Sequence, residues 1–239
     1  MSKPSSYKRI LLKLSGEQLA GKSASGIDAE FVGWLAEEIK SVVDTGVQVA
    51  IVVGGGNFVR GASFSGHGLE RATADYMGML ATMMNGLALM DMLESKAQPT
   101  RLQTNLTLPQ VAEPFIRRRA IRHMEKGRVI VIAGGLGKPF LTTDTTAVSV
   151  ALELSCEMVM KATKVNGVFT KDPEEYDDAE FLAEVSYEEA VKNPDIQIMD
   201  KAALGLAMEH KMSIIVFDLL KEKNLLKAVQ GEKVGSIIG

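Results

Sequence analysis

The chain has 239 residues, of which 46% are hydrophobic and 24% charged, a balance that suits one large α/β domain or two small ones with a sizeable core. Its formal net charge of −3 argues against a general nucleic-acid-binding protein, because such proteins usually present a basic face. A single cysteine excludes a disulfide framework, and the lack of an apolar segment of signal-peptide or membrane-spanning character predicts a soluble, cytoplasmic protein.

The first predicted strand carries a lysine near its carboxyl end. Residues 10–14 form a short apolar run that is interrupted only by Lys13. Lysines in strands most often extend along the surface to reach water. At the carboxyl end of a buried strand, however, a lysine faces the edge where α/β sheets bind ligands, which makes Lys13 a candidate binding residue.

The next segment matches a phosphate-binding pattern without its usual context. Residues 16–23 fit the P-loop pattern G-x-x-x-x-G-K-[ST]. That motif needs a helix that opens at its Lys-Ser pair, and Gly26 would weaken such a helix. A better helix start is Asp28, a favoured N-cap residue, which precedes an apolar stripe that ends near Asp44. Residues 16–27 are therefore predicted to form a mobile surface loop.

The second strand leads into three consecutive glycines. Residues 47–53 are apolar except for Gln48 and follow a helix, so the two strands and the helix form a βαβ unit with parallel strands. Glycines 54–56 permit positive φ and close approach to amide N–H groups, and Arg60 can clamp a phosphate or carboxylate. The alternative is a tight turn with a solvated arginine. Because parallel strands end at one edge of a sheet, Lys13 and these glycines are predicted to share one crevice.

A long methionine-rich helix is predicted over residues 69–93, where apolar residues recur every three or four positions. Methionine is adaptable core filler, which explains part of this pattern by packing alone. A helix that is apolar on more than one face also suits burial by another subunit, so a homo-oligomer is predicted. Asp75 lies near the start of the helix and is either a surface acid or an acceptor for a ligand hydroxyl.

A second glycine-rich loop follows another buried strand. It comprises residues 134–144, and Thr143 or Asp144 is predicted to cap a helix that extends to residue 153. Asp144 is either only a cap or a carboxylate that holds Mg²⁺ or orients a lysine. The elements predicted before this loop are a strand at 99–102, a helix at 110–126 with a solvated arginine-rich face, and a buried strand at 129–133.

A second lysine near the end of a predicted strand occurs in the last third of the chain. The strand predicted at residues 157–162 carries Lys161 near its end. Residues 163–173 alternate apolar and turn residues, as in a β-hairpin or a ligand-lining loop, and residues 172–184 are predicted to be an acidic, solvated excursion. The remaining predicted elements are a helix at 199–210, a strand at 214–217, a helix at 221–229 and a terminal strand at 235–238. No repeat or linker interrupts residues 1–239, which favours a single α/β domain.

The chemistry-bearing residues suit phosphoryl transfer. The three histidines are scattered and Cys156 lacks metal-ligand spacing, which argues against zinc, Ser-His-Asp and Cys-His sites. Strand-end lysines, two glycine loops, an arginine and an aspartate beside a helix start can position phosphates and neutralise the charge that develops on their oxygens.

Five motifs occur in order between residues 8 and 238: Lys13-Leu14-Ser15-Gly16-Glu17, Gly54-Gly55-Gly56-Asn57 with Arg60-Gly61, Met77-Gly78-Met79-Leu80-Ala81-Thr82, Pro139-Phe140 with Thr142-Thr143-Asp144, and Lys161-Ala162-Thr163-Lys164-Val165 with Gly167-Val168-Phe169. Together they resemble the bacterial uridylate (UMP) kinases of the amino-acid kinase fold family. The Gly-Gly-Gly-Asn loop is shared with sister kinases that act on carboxylates or carbamate, whereas the Met-Gly-Met-Leu-Ala-Thr and Pro-Phe…Thr-Thr-Asp blocks point to UMP.

The resemblance implies a three-layer αβα sandwich with a mostly parallel sheet, a homohexamer, and Mg²⁺-dependent phosphoryl transfer from ATP to UMP. The N-terminal part would serve UMP and residues 145–239 would serve ATP. The implied catalytic residues are Lys13, Arg60, Asp144 and Lys161, with Asp144 organising the lysines or the metal. The implied ATP site comprises Lys13, Leu14, Ser15, Gly16, Gly56, Arg60, Thr163, Phe169 and Asp172. The implied UMP site comprises Gly55, Asp75, Leu136, Gly137, Lys138, Pro139, Phe140, Leu141, Thr142 and Thr143. A GTP effector site is implied at Gly21, Lys22, Ser23, Ala24, Ser25 and Gly26, with GTP as activator and UTP as inhibitor, and neither nucleic acid nor membrane is an expected partner.

Two positions depart from the family pattern. Leu136 stands where family members usually have threonine, so uracil recognition there must rest on backbone groups or on Thr143. Phe169 replaces a frequent tyrosine, which removes a hydroxyl group but keeps a stacking face. The alternatives are a sister kinase for a small carboxylate or carbamate and a non-catalytic nucleotide-binding protein. A dinucleotide-binding oxidoreductase is disfavoured, because residues 54–60 lack the G-x-G-x-x-G spacing.

Overall fold

The computed structural model describes residues 5–59, 68–173, 175–196 and 198–239, in which strands and helices alternate. The strands are β1 Arg9–Leu14, β2 Gln48–Val53, β3 Thr100–Thr104, β4 Glu113–Pro114, β5 Val129–Ala133, β6 Met158–Thr163, β7 Val168–Phe169, β8 Phe181–Leu182, β9 Glu184–Val185, β10 Ile214–Asp218 and β11 Ser236–Ile238. The helices are α1 Gly16–Leu19, α2 Ala29–Val43, α3 Arg71–Ser95, α4 Arg117–Glu125, α5 Thr143–Glu153, α6 Tyr187–Lys192, α7 Lys201–His210 and α8 Asn224–Val229.

Nine of these strands form one sheet in the order β4-β3-β5-β2-β1-β6-β10-β11-β9. All of its pairings are parallel except that of β10 with β11, so the predicted mostly parallel α/β sheet is confirmed. The strands β7 and β8 form a separate antiparallel pair. The chain runs outward from β1 through β2 and later returns to the other side of β1 at β6, which places a topological switch point between β1 and β6.

Helices cover both faces of the sheet, which gives the predicted three layers. Because strand side chains alternate between faces, Ile10, Leu12 and Leu14 of β1 belong to a core cluster with residues of α2, α3 and α8, whereas Leu11 belongs to a second cluster with residues of α4, α5 and α7. Both sides of the central strands are therefore buried, as expected for a parallel sheet. Within the described ranges, no helix combines the length and hydropathy that a membrane span requires.

Several element boundaries differ from the sequence-based expectation. Residues 16–27 are not wholly a surface loop, because residues 16–19 form α1 and Leu19 is fully buried. The helix predicted at 110–126 begins only at Arg117, since Pro114 adopts extended backbone and pairs with β3. The last helix begins at Asn224 rather than at residue 221, because Lys223 takes the left-handed conformation with φ of 57°.

The starts of α2 and α5 are explained by side chains that cap the first helical turn. The side chain of Asp28 accepts hydrogen bonds from the amides of Glu30 and Phe31, which confirms it as the N-cap of α2. The cap of α5 is neither Thr143 nor Asp144 but Thr142, whose side chain accepts from the amides of Asp144 and Thr145. This shift places Asp144 inside the first helical turn.

The strand β11 fastens the β7–β8 pair to the main sheet. The hydroxyl of Ser236 accepts a hydrogen bond from the amide of Val168 at 2.8 Å and donates to the carbonyl of Leu182. The predicted hairpin near residues 163–173 thus exists, but its second strand is β8, which lies within the segment predicted to be a solvated excursion. Phe169 and Phe181 face each other across the pair with ring centroids 5.6 Å apart.

Candidate active site

Two lysines share one aspartate at the switch point of the sheet. Nζ of Lys13 lies 2.7 Å from Oδ1 of Asp144, and Nζ of Lys161 lies 2.9 Å from Oδ2. Nζ of Lys161 also donates to the main-chain carbonyl of Ile198. The three charged side chains are 9%, 14% and 15% exposed for Lys13, Asp144 and Lys161, so they form a largely desolvated cluster with one surplus positive charge.

The strand register brings Lys13 and Lys161 together. In the parallel pairing of β1 with β6, Lys13 and Lys161 are direct partners, so their side chains leave the same face of the sheet at the same level. That face is the one packed by α5, whose first turn carries Asp144. The positive end of the α5 dipole further favours a carboxylate at this position.

Electrostatics favour the ionised form of Asp144. Burial alone would raise the pKa of Asp144, but the ammonium groups of Lys13 and Lys161 outweigh it and hold the pKa of this carboxyl below its usual range. Burial lowers the pKa of Lys161, an effect that the neighbouring charge of Asp144 opposes and that of Lys13 reinforces. Asp144 is therefore ionised at neutral pH and acts as the shared counter-ion of the two lysines.

A cavity of about 240 Å³ opens between the two glycine loops and α3. Asp75 lies in its wall, where its carboxylate accepts from Nε of Arg71 at 2.9 Å and from the amide of Phe140 at 2.8 Å. The predicted site residues that line it are Gly55, Gly56, Asp75, Leu136, Lys138, Leu141, Thr142 and Thr143. The predicted residues Gly137, Pro139 and Phe140 are not among the residues that line this cavity. Gly137 packs against Asn105, and Phe140 is 69% exposed.

A larger cavity of about 610 Å³ lies on the C-terminal side. Its walls include Lys161 at the end of β6 and the predicted residues Thr163, Phe169 and Asp172. Lys161 therefore borders this cavity while its partner Asp144 contacts Lys13. The cluster therefore borders the larger cavity through Lys161, while Thr143, next to Asp144 in sequence, lines the smaller one.

The glycine loop after β2 packs tightly against the start of α1. A Cβ atom added to Gly16 would lie 2.5 Å from the amide nitrogen of Gly56, and one added to Gly54 would lie 2.9 Å from the amide nitrogen of Gly16. Glycine is therefore required at both positions to let the two segments touch. The contact brings Ser15 and Gly16, which directly follow Lys13 and Leu14, beside the glycine loop.

The remaining predicted residues lie in two other regions. Arg60, predicted to be catalytic and ATP-binding, lies outside the described residues. The proposed effector segment, Gly21, Lys22, Ser23, Ala24, Ser25 and Gly26, forms turns and bends before α2, so the P-loop helix is absent there, as expected. Gly26 is bonded to Asn57 of the first glycine loop, with its amide 3.1 Å from the Asn57 carbonyl.

Asp200 joins the site although the sequence did not single it out. It is the N-cap of α7, and its carboxylate accepts from the amide of Ala203 at 2.9 Å, from the hydroxyl of Thr145 at 3.0 Å and from the hydroxyl of Thr142. It thereby ties α7 to the start of α5, beside Asp144. The signal that could have found it is the capping preference of aspartate, which would have moved the predicted helix start from residue 199 to Lys201.

The described carboxylates do not fit a resident metal ion. Both oxygens of Asp144 contact ammonium groups, and the carboxylate of Asp200 is occupied by hydroxyl and amide donors. Across residues 5–59, 68–173, 175–196 and 198–239, no three His, Cys, Asp or Glu side chains are grouped to hold a metal. Of the two roles considered for Asp144, this geometry favours the organisation of the lysines.

Comparison with known proteins gives a consistent result. The sequence model of the amino acid kinase family matches residues 8–218. The crystal structure of a UMP kinase from Bacillus anthracis is similar, with a TM-score of 0.93 and 38% identity over 98% of this chain and 96% of that one. A UMP kinase from Ureaplasma parvum matches with a TM-score of 0.90 and 29% identity over the full length of both chains. A uridylate kinase from Archaeoglobus fulgidus matches with a TM-score of 0.74 and 28% identity over 96% of this chain and 99% of that one.

Proposed function

The chain belongs to the amino acid kinase family, and from that premise we propose that it is a UMP kinase, which transfers the γ-phosphoryl group of ATP to UMP to give UDP and ADP. The observation that carries the proposal is the Lys13–Asp144–Lys161 cluster at the switch point of the sheet. Lys161 lines the larger cavity, and Thr143, the sequence neighbour of Asp144, lines the smaller one. We further propose that the activity serves pyrimidine nucleotide biosynthesis in the cytoplasm.

The two cavities suit an acceptor and a donor within a single domain. The cavity of about 240 Å³ holds UMP, with the Asp75 carboxylate directed to the ribose and residues 136–143 around the base. The cavity of about 610 Å³ holds ATP, with Phe169 as a stacking face for adenine. The N-terminal part of the chain thus supplies the acceptor side, and the part after residue 145 supplies the donor side.

The reaction is direct in-line transfer that relies on positioning and charge. Amides of the glycine loop at Gly55 and Gly56 and of Gly16 hold the phosphates, because these residues carry no side chain of their own beside the amide groups. The ammonium group of Lys13 stabilises the transferring phosphoryl group, and that of Lys161 contacts the donor side. Mg²⁺ arrives with ATP as the MgATP substrate and neutralises phosphate charge when bound.

Asp144 sets the positions of both ammonium groups. Its carboxylate fixes them on one side only, at 2.7 and 2.9 Å, so each retains donors for phosphate oxygens. The net charge of the cluster is +1, which attracts anionic substrates and remains when the substrates leave. Such preorganised donors need no rearrangement during the reaction, which is why their loss typically lowers kcat by about 10²–10³-fold.

Leu136 provides no hydroxyl group for recognition of the uracil base. Leu136 and Thr143 both line the smaller cavity, so Thr143 and main-chain groups are the remaining partners for the polar edge of uracil. Phe169 contributes a ring without a hydroxyl on the donor side.

We also propose that the chain forms a homo-oligomer, with a hexamer as the expected assembly. The helix α3 leaves four large apolar side chains exposed at helical spacing, namely Tyr76, Leu80, Met84 and Leu87. They follow each other at intervals of three or four residues and so form one stripe, of the kind that a second copy covers. Regulation by GTP at residues 21–26 and inhibition by UTP are part of the same proposal.

A substrate panel tests the function. Purified protein with MgATP is assayed by coupled ADP release against UMP, CMP, AMP, carbamate and a small amino acid, with Lys13→Ala as the control for contaminating kinases. We expect UMP to be phosphorylated far faster than the other acceptors and Lys13→Ala to lose at least about 100-fold in kcat. Preference for carbamate or a carboxylate would identify a sister kinase, and ATP binding without turnover would identify a non-catalytic nucleotide-binding protein. Either result overturns the proposal.

A further inference from the structure

Two asparagine side chains form a closed pair beneath the first glycine loop. Nδ2 of Asn57 donates to Oδ1 of Asn85 at 2.9 Å, and Nδ2 of Asn85 donates to Oδ1 of Asn57 at 2.7 Å. Asn57 is 4% exposed and Asn85 is fully buried. Asn57 is the last residue of the Gly-Gly-Gly-Asn loop, and Asn85 lies in the middle of α3, so the pair joins the loop to the helix.

The remaining amide hydrogens of the pair reach two other segments. Nδ2 of Asn85 donates to the carbonyl of Gly54 at 2.7 Å, and Nδ2 of Asn57 donates to the carbonyl of Gly26 at 2.6 Å. All four donors of the two amides are thus used. These partners also fix the amide orientations, because turning either group over would bring carbonyl oxygens together and leave a main-chain carbonyl without its donor.

The asparagine pair anchors the glycine loop, whose glycines have no side chains that could do so. Three glycines offer amides to a phosphate but have no side chains by which the loop could be anchored, and glycine backbone is the most costly to order. Asn57 supplies the anchor from within the loop, and its backbone carbonyl additionally accepts from the amide of Gly26 at 3.1 Å. A Cβ atom at Gly16 would lie 2.5 Å from Oδ1 of Asn57, so the segment after β1 also rests on the pair.

The same helix face holds the second glycine loop. The hydroxyl of Thr82, three residues before Asn85, accepts from the amide of Gly134 at 2.6 Å. Residues three apart lie on one side of a helix. One face of α3 therefore contacts both glycine loops, Gly54 through Asn85 and Gly134 through Thr82, and sets the distance between them.

Building on the proposed function, we propose that the Asn57–Asn85 pair is a positioning lock that holds the first glycine loop in its phosphate-binding shape and couples it to residues 21–26. Neither side chain touches the reacting groups in this role. They act through the main-chain amides of the loop, whose spacing must match the phosphate oxygens of the two nucleotides. The pair also gives residues 21–26 a direct connection to the phosphate-binding backbone.

Stability alone does not explain such a pair. Apolar side chains of similar volume can replace buried polar networks with little loss, or with a gain, in stability, as studies of buried ion pairs and their hydrophobic replacements indicate. What a fully bonded amide pair adds is a fixed geometry, because its hydrogen bonds are satisfied in one arrangement only. The lock is therefore distinguished from mere packing by its effect on catalysis per folded molecule.

The test uses Asn85→Leu, which keeps the number and branching of the side-chain heavy atoms and removes every amide contact, with Asn57→Ser as a milder second variant. The matched control is Gln98→Leu, because Gln98 is also a buried amide, 4% exposed, and donates to the carbonyls of Pro99 and Gly127 at 3.1 and 3.0 Å. Gln98 precedes β3 and so lies at the amino ends of the parallel strands, whereas Asn57 follows β2 at their carboxyl ends. Each variant is measured for melting temperature, for kcat and KM with MgATP and UMP, and for amide hydrogen exchange without ligand.

We expect Asn85→Leu to lower kcat/KM for both substrates by about 10- to 100-fold, the scale of a small misplacement of reacting groups. Amide exchange at Phe58, Val59 and Gly26 should accelerate at least about tenfold, while Gln98→Leu, at a similar melting temperature, leaves both quantities within about twofold. Equal kinetics in the two variants, or unchanged exchange in Asn85→Leu and Asn57→Ser, would overturn the lock. Exchange is read without turnover, so it decides the lock even if wild-type protein fails to phosphorylate UMP and the proposed function falls.

Discussion

The most informative perturbation is Asp144→Asn, which keeps the shape of the side chain and removes one charge. In the folded protein this carboxylate contacts Nζ of Lys13 at 2.7 Å and Nζ of Lys161 at 2.9 Å. The substitution leaves two ammonium groups close together in a desolvated site without their counter-ion. Lys161, whose pKa burial already lowers, then loses the neighbouring charge that favours its protonated form.

The magnitude follows from the burial of the cluster. Removal of one partner from a buried ion pair costs about 3–5 kcal/mol, because the remaining charge is uncompensated. For a chain of this length each kcal/mol corresponds to about 2–4 °C, so the melting temperature should fall by about 6–20 °C. Because both lysines lose their fixed positions, kcat should fall by about 10²–10³-fold.

An exposed ion pair of the same length provides the control. Lys40 and Asp44 lie 2.9 Å apart on α2, with 34% and 58% of their side chains exposed. Asp44→Asn should therefore cost about 1 kcal/mol or less and leave kcat unchanged. The assays are thermal unfolding by circular dichroism and coupled ADP release. A melting temperature for Asp144→Asn within about 2 °C of wild type, together with kcat within about threefold, would refute the reasoning.

The effect of Asp144→Asn on the melting temperature should depend on pH in a defined direction. The folded-state pKa of Asp144 lies below its unfolded value, so its stabilisation is fully present above the unfolded pKa and is lost as pH falls through the folded pKa. The difference in melting temperature between wild type and Asp144→Asn should thus be constant near neutral pH and shrink below about pH 4. A difference that grows on acidification would contradict the sign of the shift.

Three further predictions concern other parts of the molecule. Phe169→Ala should raise KM for MgATP about tenfold and leave KM for UMP unchanged, as expected for loss of about 1.4 kcal/mol of stacking; equal effects on both constants would count against a donor-side ring. Leu80→Glu, at the most exposed position of the α3 stripe, should dissociate the oligomer in sedimentation velocity, and an intact assembly would place the interface elsewhere. Burial raises the pKa of the Cys156 thiol to about 12, so a thiol reagent at pH 8 should label it only as fast as the protein unfolds, and immediate labelling of the native protein would be the contrary result.

The strand ends were predictable from sequence because their signal is local. An apolar β-branched run that stops at glycine marks both the strand and the loop, so the neighbourhood of Lys13 and residues 54–56 followed from the βαβ rule. The meeting of Lys13 with Lys161 needed more, because nothing in the sequence states that β6 lies beside β1. The partnership of Asp144 with both lysines rested on family resemblance until the register supplied a geometric reason.

The elements that were missed are short or depend on tertiary contacts. The helix α1 has four residues and is fixed by packing on the glycine loop, and α6 has six residues, both too short for a periodic signal. The start of α4 was placed too early, because the apolar content of residues 110–116 also suits the extended segment that pairs with β3. Asn85 was hidden within the methionine-rich pattern of α3, where only its partners reveal its role.

The position of β11 has a consequence for the order in which the protein can assemble. This strand lies late in the sequence but inside the sheet, between β10 and β9, and Ser236 also holds the β7–β8 pair that carries Phe169. During synthesis on the ribosome, β9 would have no sheet partner until β11 emerges about fifty residues later. The nascent chain can therefore form the smaller cavity early, while the cavity that Phe169 lines remains unfinished until β11 has left the exit tunnel.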